Sequence, residues 1–267
     1  MEVSTVTGER KKVAPKTVEN YCTRARAVFN FANKQQLTDR PISHGDQLAN
    51  PKAKLKRKHT NETYAEGRDL SREAILDVLA IADKQMKAII LTAIGAGLLS
   101  VDIAHLRFEH VDLDTGMVNY PRRKTEIARR FVLWPEARQA IREWLEIRPE
   151  PHNAELSGNI FLTSFGNIWH SEEHRGNPLG RQFKKLLKTA GHDRKGISFS
   201  ALRKSFRTAV SIYTTDEAEE KIADYICAHS NPSMRARYRQ RYPRKKLIKV
   251  SGYVRKWLFG KRVAKNH

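Results

Sequence analysis

The chain has 267 residues, enough for one sizeable hydrophobic core and a smaller second unit. Its 50 lysines and arginines against 29 aspartates and glutamates leave a formal charge of +21, which repels itself unless a polyanion is bound. This excess favours a nucleic acid as the partner. The longest apolar run, residues 88–99, is interrupted by threonine and glycine and is too short to span a bilayer, which argues against a membrane protein.

The N-terminal residues and the cysteines indicate the cellular compartment. The sequence MEVSTVTGERKK has no apolar stretch of the kind that directs secretion, so we expect a cytoplasmic, nucleoid-associated protein. Cys22 and Cys227 are far apart and form no CxxC motif, which argues against a disulfide and against a thiolate zinc site. Both are expected to be reduced and at least partly buried.

The N-terminal part predicts one helix followed by a linker. In residues 17–36, apolar side chains recur at helical spacing with basic residues between them, the pattern of an amphipathic helix. Residues 38–66 are rich in proline, asparagine and basic residues without a sustained period, which predicts a basic linker. Lys54, Lys56 and Arg57 in this linker are candidate DNA-binding residues. We place the domain boundary near residue 60.

A helical core is predicted from Ser71 onward. Ser71 offers an N-cap to one helix, and a second helix over residues 85–96 ends at Gly97. Residues 111–134 predict three short antiparallel strands, because β-branched residues flank an Asp-Thr-Gly turn and a second polar turn follows. Pro135 suits the first turn of a further helix, and residues 159–163 predict an isolated strand. The predicted fold is mainly α with a small antiparallel β-sheet, an α+β fold.

The C-terminal end of the chain is strongly basic. The last 29 residues carry eleven lysines and arginines and no acidic residue. We treat residues 244–267 as a basic tail, for which two interpretations stay open: a solvated, partly helical end, or a segment that binds phosphate or docks on a partner.

Two segments carry residues suited to metal-free phosphoryl transfer on DNA, which needs a nucleophile, cations around the phosphate and an acid for the leaving oxygen. In SFSALRKSFRTA, apolar residues share one helical face while Arg203 and Arg207 share an adjoining face, so that a buried helix aims guanidinium groups into a cleft. YICAHSNPSMRARYRQ adds His229 and, nine residues later, Tyr238. Neither segment is specific by itself.

Together, SALRKSF and AHSNPSMRARY resemble the two C-terminal boxes of the tyrosine recombinase, or phage integrase, family, which read roughly H-x-L-R-H and G-H-x(8)-Y. Upstream, GAGLLSVDIAHLRFEHVDLDTG resembles the first box of the family, and PRRKTEIARRFVLWPEA resembles its lysine-bearing β-hairpin. The resemblance covers about residues 68–242. It implies that residues 61–243 form the family's catalytic domain, and that residues 1–60 correspond to part of its SAM-like core-binding domain, truncated or divergent here.

The resemblance also implies roles for individual residues. Tyr238 matches the nucleophile that forms a 3′-phosphotyrosyl link, and Arg203 matches an arginine that binds the non-bridging oxygens. His229 matches a hydrogen-bond donor to the same phosphate, and Lys124 matches the lysine that protonates the leaving 5′ oxygen. The other candidate DNA-binding residues in this part of the chain are Arg122, Arg123, Arg129 and Arg207.

Two positions depart from the family pattern. Ser200 stands where the second box has a histidine, which removes a proton-transfer group but leaves a hydroxyl. Leu99 stands where the first box has an arginine, so that one cationic contact to the phosphate is absent. Losing one such charge donor costs on the order of 10² to 10³ in rate.

The first hypothesis is a site-specific recombinase or integrase that cuts and rejoins double-stranded DNA as a homo-tetramer, without a cofactor, since the phosphotyrosyl link retains the bond energy. The second is a degenerate relative that binds DNA without strand exchange, which Leu99 favours. The third is a basic RNA-binding protein, favoured only by the charge. His170 and His174, one helical turn apart, suit a zinc site only if a third ligand joins them, and a polar loop accounts for them without metal.

Overall fold

The computed structural model of the chain describes residues 2–4, 10–65, 67–170, 176–229 and 241–260, and only the backbone of residues 2–4, 10–12 and 47. The chain divides into two compact units, Met1–Gly67 and Arg68–His267, called here the N-terminal and C-terminal units. The N-terminal unit contains β1 (Glu2–Ser4), β2 (Arg10–Lys12), α1 (Pro15–Lys34), a 3-10 turn (Gly45–Leu48) and α2 (Ala53–Thr63).

The helix α2 contradicts the prediction of a linker over residues 38–66. Its alanine, leucine, lysine and arginine residues favour a helix, but none of its side chains is buried, so no apolar period marks it in the sequence. It packs on α1, where Lys56 donates to Glu19 at 3.1 Å. The predicted helix over residues 17–36 is confirmed as α1, and Pro15 occupies its first turn.

The C-terminal unit is mostly helical. Its helices and strands, in chain order, are α3 (Arg72–Ile81), α4 (Lys84–Ala96), α5 (Ser100–Ala104), β3 (Met117–Asn119), β4 (Arg130–Val132), α6 (Pro135–Leu145), α7 (Pro178–Thr189), α8 (Ala201–Tyr213), α9 (Glu217–Ile226) and α10 (Arg244–Phe259). Short 3-10 turns lie at Phe108–His110 and Ala154–Leu156. The predicted fold class, mainly α with a small antiparallel sheet, is confirmed.

The buried helix α4 forms the centre of this unit. Its apolar run, unbroken by charge after Lys87, is fully buried, and α6 and α8 pack against it. Ser71 caps α3 by accepting from the backbone of Ala74, as predicted. Gly97 ends α4 in the left-handed conformation at φ 59°, which confirms the predicted break.

The β-sheet is smaller than the sequence predicts. β3 and β4 pair antiparallel with Val118 opposite Phe131, while the first of the three predicted strands is reduced to one bridge between Val111 and Val118. The predicted strand over residues 159–163 is likewise reduced to isolated bridges. Short turns on either side leave these segments too little length to form a ladder.

The basic C-terminal segment contributes a helix to the core. Leu247, Val250, Val254 and Leu258 of α10 are fully buried, and the helix packs against α8, α9 and β4. Trp134 donates from its indole nitrogen to the carbonyl of Ser251 at 3.2 Å, which anchors the middle of α10. Residues 244–259 therefore belong to the C-terminal unit rather than to a separate tail. Within the part of the chain described here, no helix has the length and apolarity needed to cross a bilayer.

Candidate active site

Arg203 is the centre of the candidate site. It lies in the first turn of α8, next to Leu202 and Phe206, whose full burial anchors the helix in the core. Its side chain is only 7% exposed. The guanidinium donates to the Gly97 carbonyl at 2.9 Å and to the Cys227 carbonyl. These backbone contacts fix the orientation of the guanidinium without neutralising its charge.

The turn after α4 supplies one of these carbonyls and also positions Leu99. A Cβ at Gly97 would lie 2.7 Å from the Cys227 sulfur, so the turn needs glycine both for space and for its positive φ. Two residues later, the half-buried Leu99 is the N-cap residue that precedes α5, and its backbone N–H donates to Asp102 at 2.9 Å. An aliphatic side chain therefore stands two residues from the carbonyl that holds Arg203.

His229 follows α9 and meets Arg203. Arg203 Nε donates to His229 Nε2 at 3.3 Å, and His229 Nδ1 lies 2.9 Å from a carboxylate oxygen of Asp224. A neutral ring that accepts at Nε2 carries its proton on Nδ1 and donates it to Asp224. Arg207 binds the same carboxylate at 3.2 Å, so Asp224 is held in place from both sides.

The electrostatics of the site follow from burial. Burial lowers the pKa of Arg203 from its usual value; the neighbouring positive charges of Arg122 and Arg129 lower it further, whereas Cys227 and Asp102 oppose the shift. Burial raises the pKa of the Cys227 thiol to about 11, although Arg203 counters part of that shift. The thiol is therefore protonated at neutral pH and does not compensate the charge of Arg203.

The hairpin between β3 and β4 carries the predicted lysine. Arg122 and Ile127 form a bridge, and Lys124 lies exposed in the turn between them. Arg122 donates from Nη1 to the Ala228 carbonyl at 3.1 Å, beside His229. Arg123, by contrast, contacts Nε2 of His105. The structure thus brings Arg122 to the candidate site and turns Arg123 toward α5.

Two arginines predicted to bind DNA are engaged inside the protein. Arg129 is fully buried, with its guanidinium 3.2 Å from Asp102 and its Nε donating to the Tyr120 carbonyl at 3.0 Å. The prediction of a DNA contact is wrong for Arg129, because its charge is neutralised in the core. Arg207 is half-buried and paired with Glu220 at 2.6 Å as well as with Asp224, so it links α8 to α9, and its contact with DNA stays a prediction.

The other predicted residues are more scattered. Ser200 precedes α8, and its hydroxyl lies 3.0 Å from that of Ser198. In the N-terminal unit, Lys54 and Arg57 are exposed on α2, whereas Lys56 is paired with Glu19. Tyr238 lies outside the described residues, as does His174 of the suggested zinc pair.

Sequence reasoning missed Asp102 and Asp224. The only hint of Asp102 is an acidic residue within the otherwise apolar SVDIAHL, and its partner Arg129 lies 27 residues further along the chain. Asp224 precedes His229 by five residues, a spacing that indicates contact only once the turn after α9 is known. Among the residues that the structure describes, no group of three or more histidine, cysteine, aspartate or glutamate side chains is placed to hold a metal ion.

The family follows from comparison with known sequences. The family model described as "Phage integrase family" matches residues 69–245, about two thirds of the chain. The chain belongs to the phage integrase family. The match begins with the C-terminal unit and extends into α10. No curated protein sequence matches this integrase-family chain.

Solved structures show the same fold for this integrase-family chain. The XerH site-specific recombinase, in a post-cleavage complex with palindromic difH substrate, is similar with a TM-score of 0.61 and 15% identity, covering 90% of this chain and 67% of that chain. The Tn1549 transposon integrase, in complex with a circular intermediate DNA, is similar with a TM-score of 0.58 and 15% identity, covering 90% of this chain and 79% of that chain. The XerA recombinase is similar with a TM-score of 0.51 and 19% identity, covering 91% of this chain and 84% of that chain. At these identities the likeness establishes the tyrosine recombinase fold.

Proposed function

We propose that this integrase-family chain is a site-specific recombinase that cleaves and rejoins double-stranded DNA through a phosphotyrosyl link at Tyr238. The burial and the hydrogen-bond partners of Arg203 are the observation that supports this proposal. It is almost fully buried, and among the described residues its hydrogen-bond partners are two backbone carbonyls and His229 rather than a carboxylate. A buried cation without a paired carboxylate is costly unless an anion binds it.

The arrangement suits a phosphate diester. A guanidinium has five N–H donors, and Arg203 uses three of them on Gly97, Cys227 and His229, which leaves two for a non-bridging oxygen. In the sequence, Tyr238 follows His229 by nine positions. In the proposed reaction, the Tyr238 oxygen bonds to phosphorus and the P–O5′ bond breaks. Lys124 protonates the leaving oxygen and the phenolic proton passes to solvent.

The family and the related structures support DNA as the substrate. In the structures that resemble this chain, the Tn1549 integrase is bound to a circular intermediate DNA and the XerH recombinase to its difH substrate. The net charge of +21 fits a polyanionic partner. Exchange of strands between two duplexes takes four protomers, so we propose a tetramer on DNA. A phosphotyrosyl link retains the energy of the broken bond, so the proposed reaction consumes no nucleotide cofactor.

Covalent trapping tests this proposal. The substrates are nicked duplexes drawn from DNA that flanks the gene. After cleavage they lose a short fragment that carries the leaving hydroxyl, so the strand cannot be rejoined and the protein stays covalently attached. The adduct then migrates slowly on a denaturing gel. We expect the adduct with wild-type protein and its loss in Tyr238→Phe. Tyr242→Phe is the matched control, because Tyr242 lies four residues on and packs its ring against Tyr225. Equal adduct in wild type and Tyr238→Phe would contradict the proposal.

A second candidate function is DNA binding without cleavage, which the aliphatic Leu99 beside the Arg203 anchor favours. In that case wild-type protein retards the same duplexes on a native gel but forms no adduct on a denaturing gel. Failure of Leu99→Arg to restore an adduct would then establish the second candidate over the first.

A further inference from the structure

Arg122 and Arg203 bind the same turn. Arg203 donates to the Cys227 carbonyl, and Arg122 donates from Nη1 to the next carbonyl, that of Ala228, at 3.1 Å. These carbonyls terminate α9, and Ala228 adopts a left-handed conformation at φ 49°. Because helix C-termini carry partial negative charge, they can hold two cations close together. The two guanidinium groups therefore flank one short piece of backbone directly before His229.

The pair has an excess of positive charge. Arg122 is one of the neighbouring charges that lower the pKa of Arg203, so the two guanidinium groups interact. In the part of the chain that the structure describes, neither of them forms an ion pair with a carboxylate. Two like charges held by carbonyl oxygens and a histidine ring repel each other, and a bound anion would relieve that repulsion.

Three other arginines of the hairpin and of α8 do not meet this requirement. Arg129 is buried against Asp102, and Arg207 is paired with two carboxylates of α9. Arg123 contacts His105 at the end of α5 instead. Arg122 uses one of its five N–H donors on Ala228 and remains half-buried rather than enclosed.

We infer that Arg122 is a catalytic residue that binds the scissile phosphate together with Arg203 and supplies the positive charge that Leu99 does not. The inference rests on the proposed function. As the bond from the Tyr238 oxygen to phosphorus forms and the P–O5′ bond breaks, charge accumulates on the non-bridging oxygens. Arg203 and Arg122 donate to these oxygens from neighbouring positions, and this stabilises the transition state more than the ground state.

The test compares Arg122→Gln with wild type in single-turnover adduct formation at saturating nicked duplex. We expect the rate to fall by about 10² to 10³-fold, the usual loss for one charge donor at a transition state. Arg142→Gln is the matched control. It removes the same charge from an exposed arginine that also donates to a backbone carbonyl, that of Leu113 at 3.0 Å, and it should leave the rate unchanged.

A substrate with a neutral phosphate separates catalysis from a merely structural role. In a methylphosphonate, a methyl group replaces one charged oxygen, so the reaction needs less positive charge. If Arg122 acts on the phosphate, the deficit of Arg122→Gln should shrink to below about 10-fold on this substrate, since most of the 10² to 10³-fold loss is electrostatic. A variant that only distorts the fold would show the same deficit on both substrates.

The outcomes distinguish the inference from the proposed function. If wild type and Arg122→Gln form adduct at equal rates while Tyr238→Phe forms none, the role of Arg122 is overturned and the proposed function stands. If wild type forms no adduct, both are overturned. Should Arg122→Gln fail to fold, Arg122→Met takes its place, because it also removes the charge but keeps a long, unbranched side chain. An equal deficit of Arg122→Met on the two substrates would then overturn the role of Arg122.

Discussion

Replacing Asp102 by asparagine should destabilise the C-terminal unit by about 3 to 5 kcal/mol, the usual cost of leaving one partner of a buried ion pair unpaired. Asp102 is 3% exposed and Arg129 is fully buried, with 3.2 and 3.3 Å between their paired atoms. Asparagine has nearly the same shape and can still accept from the Leu99 N–H. The change therefore removes the negative charge and leaves the positive one in the core.

This expected loss in Asp102→Asn is large compared with the total free energy of unfolding of a domain, about 5 to 15 kcal/mol. Urea denaturation followed by tryptophan fluorescence measures it in the C-terminal unit alone, because all four tryptophans lie after residue 68. Asp114→Asn is the matched control, since Asp114 is 94% exposed in its pair with Arg142. That pair should contribute less than about 1 kcal/mol.

A loss in Asp102→Asn that is no larger than the loss in Asp114→Asn would refute this reasoning. It would mean that the carbonyl and ring of Tyr120, which also contact Arg129, suffice to hold the buried guanidinium.

Three further predictions concern the site and the surface. Gly97→Ala should destabilise the protein by about 2 kcal/mol, because its φ of 59° disfavours a side chain and the new Cβ would meet the Cys227 sulfur at 2.7 Å; an unchanged urea midpoint would count against this. Asp224→Asn should slow adduct formation by about 10 to 10²-fold at unchanged DNA affinity, because it removes the carboxylate that orients His229; an equal rate would show that the contact is dispensable. Raising salt from about 50 to 200 mM should weaken duplex binding by at least about 10³-fold in a fluorescence titration, and a flat response would exclude extensive phosphate contacts.

The extent to which the sequence predicted the fold depended on local signals. The helices α3 and α4 were predictable because Ser71 marks a start, Gly97 marks an end and the residues between are apolar at helical spacing. α2 was not, because a helix without buried side chains has no apolar period. The strands shrank to bridges because β-branched residues flanking a turn indicate a hairpin but not the length of its ladder.

The site was predictable in part for the same reason. Arg203 and His229 lie in short motifs, and their contact agrees with the spacing of those motifs. The pairing of Arg129 with Asp102 and the contact of Arg122 with Ala228 join residues 27 and 106 positions apart. Such contacts depend on packing of whole elements, so Arg122, Arg123 and Arg129 of the hairpin look equivalent in the sequence and differ in the structure.

The most direct test of the account identifies the residue that carries DNA in the trapped adduct. Arg237 and Arg239 flank Tyr238, so trypsin should release the dipeptide 238–239 with its nucleotide, whereas a link at Tyr242 would appear in the tripeptide 242–244. Mass spectrometry after nuclease digestion distinguishes the two. The account predicts the nucleotide on the dipeptide that contains Tyr238, and a nucleotide found on any other peptide would contradict it.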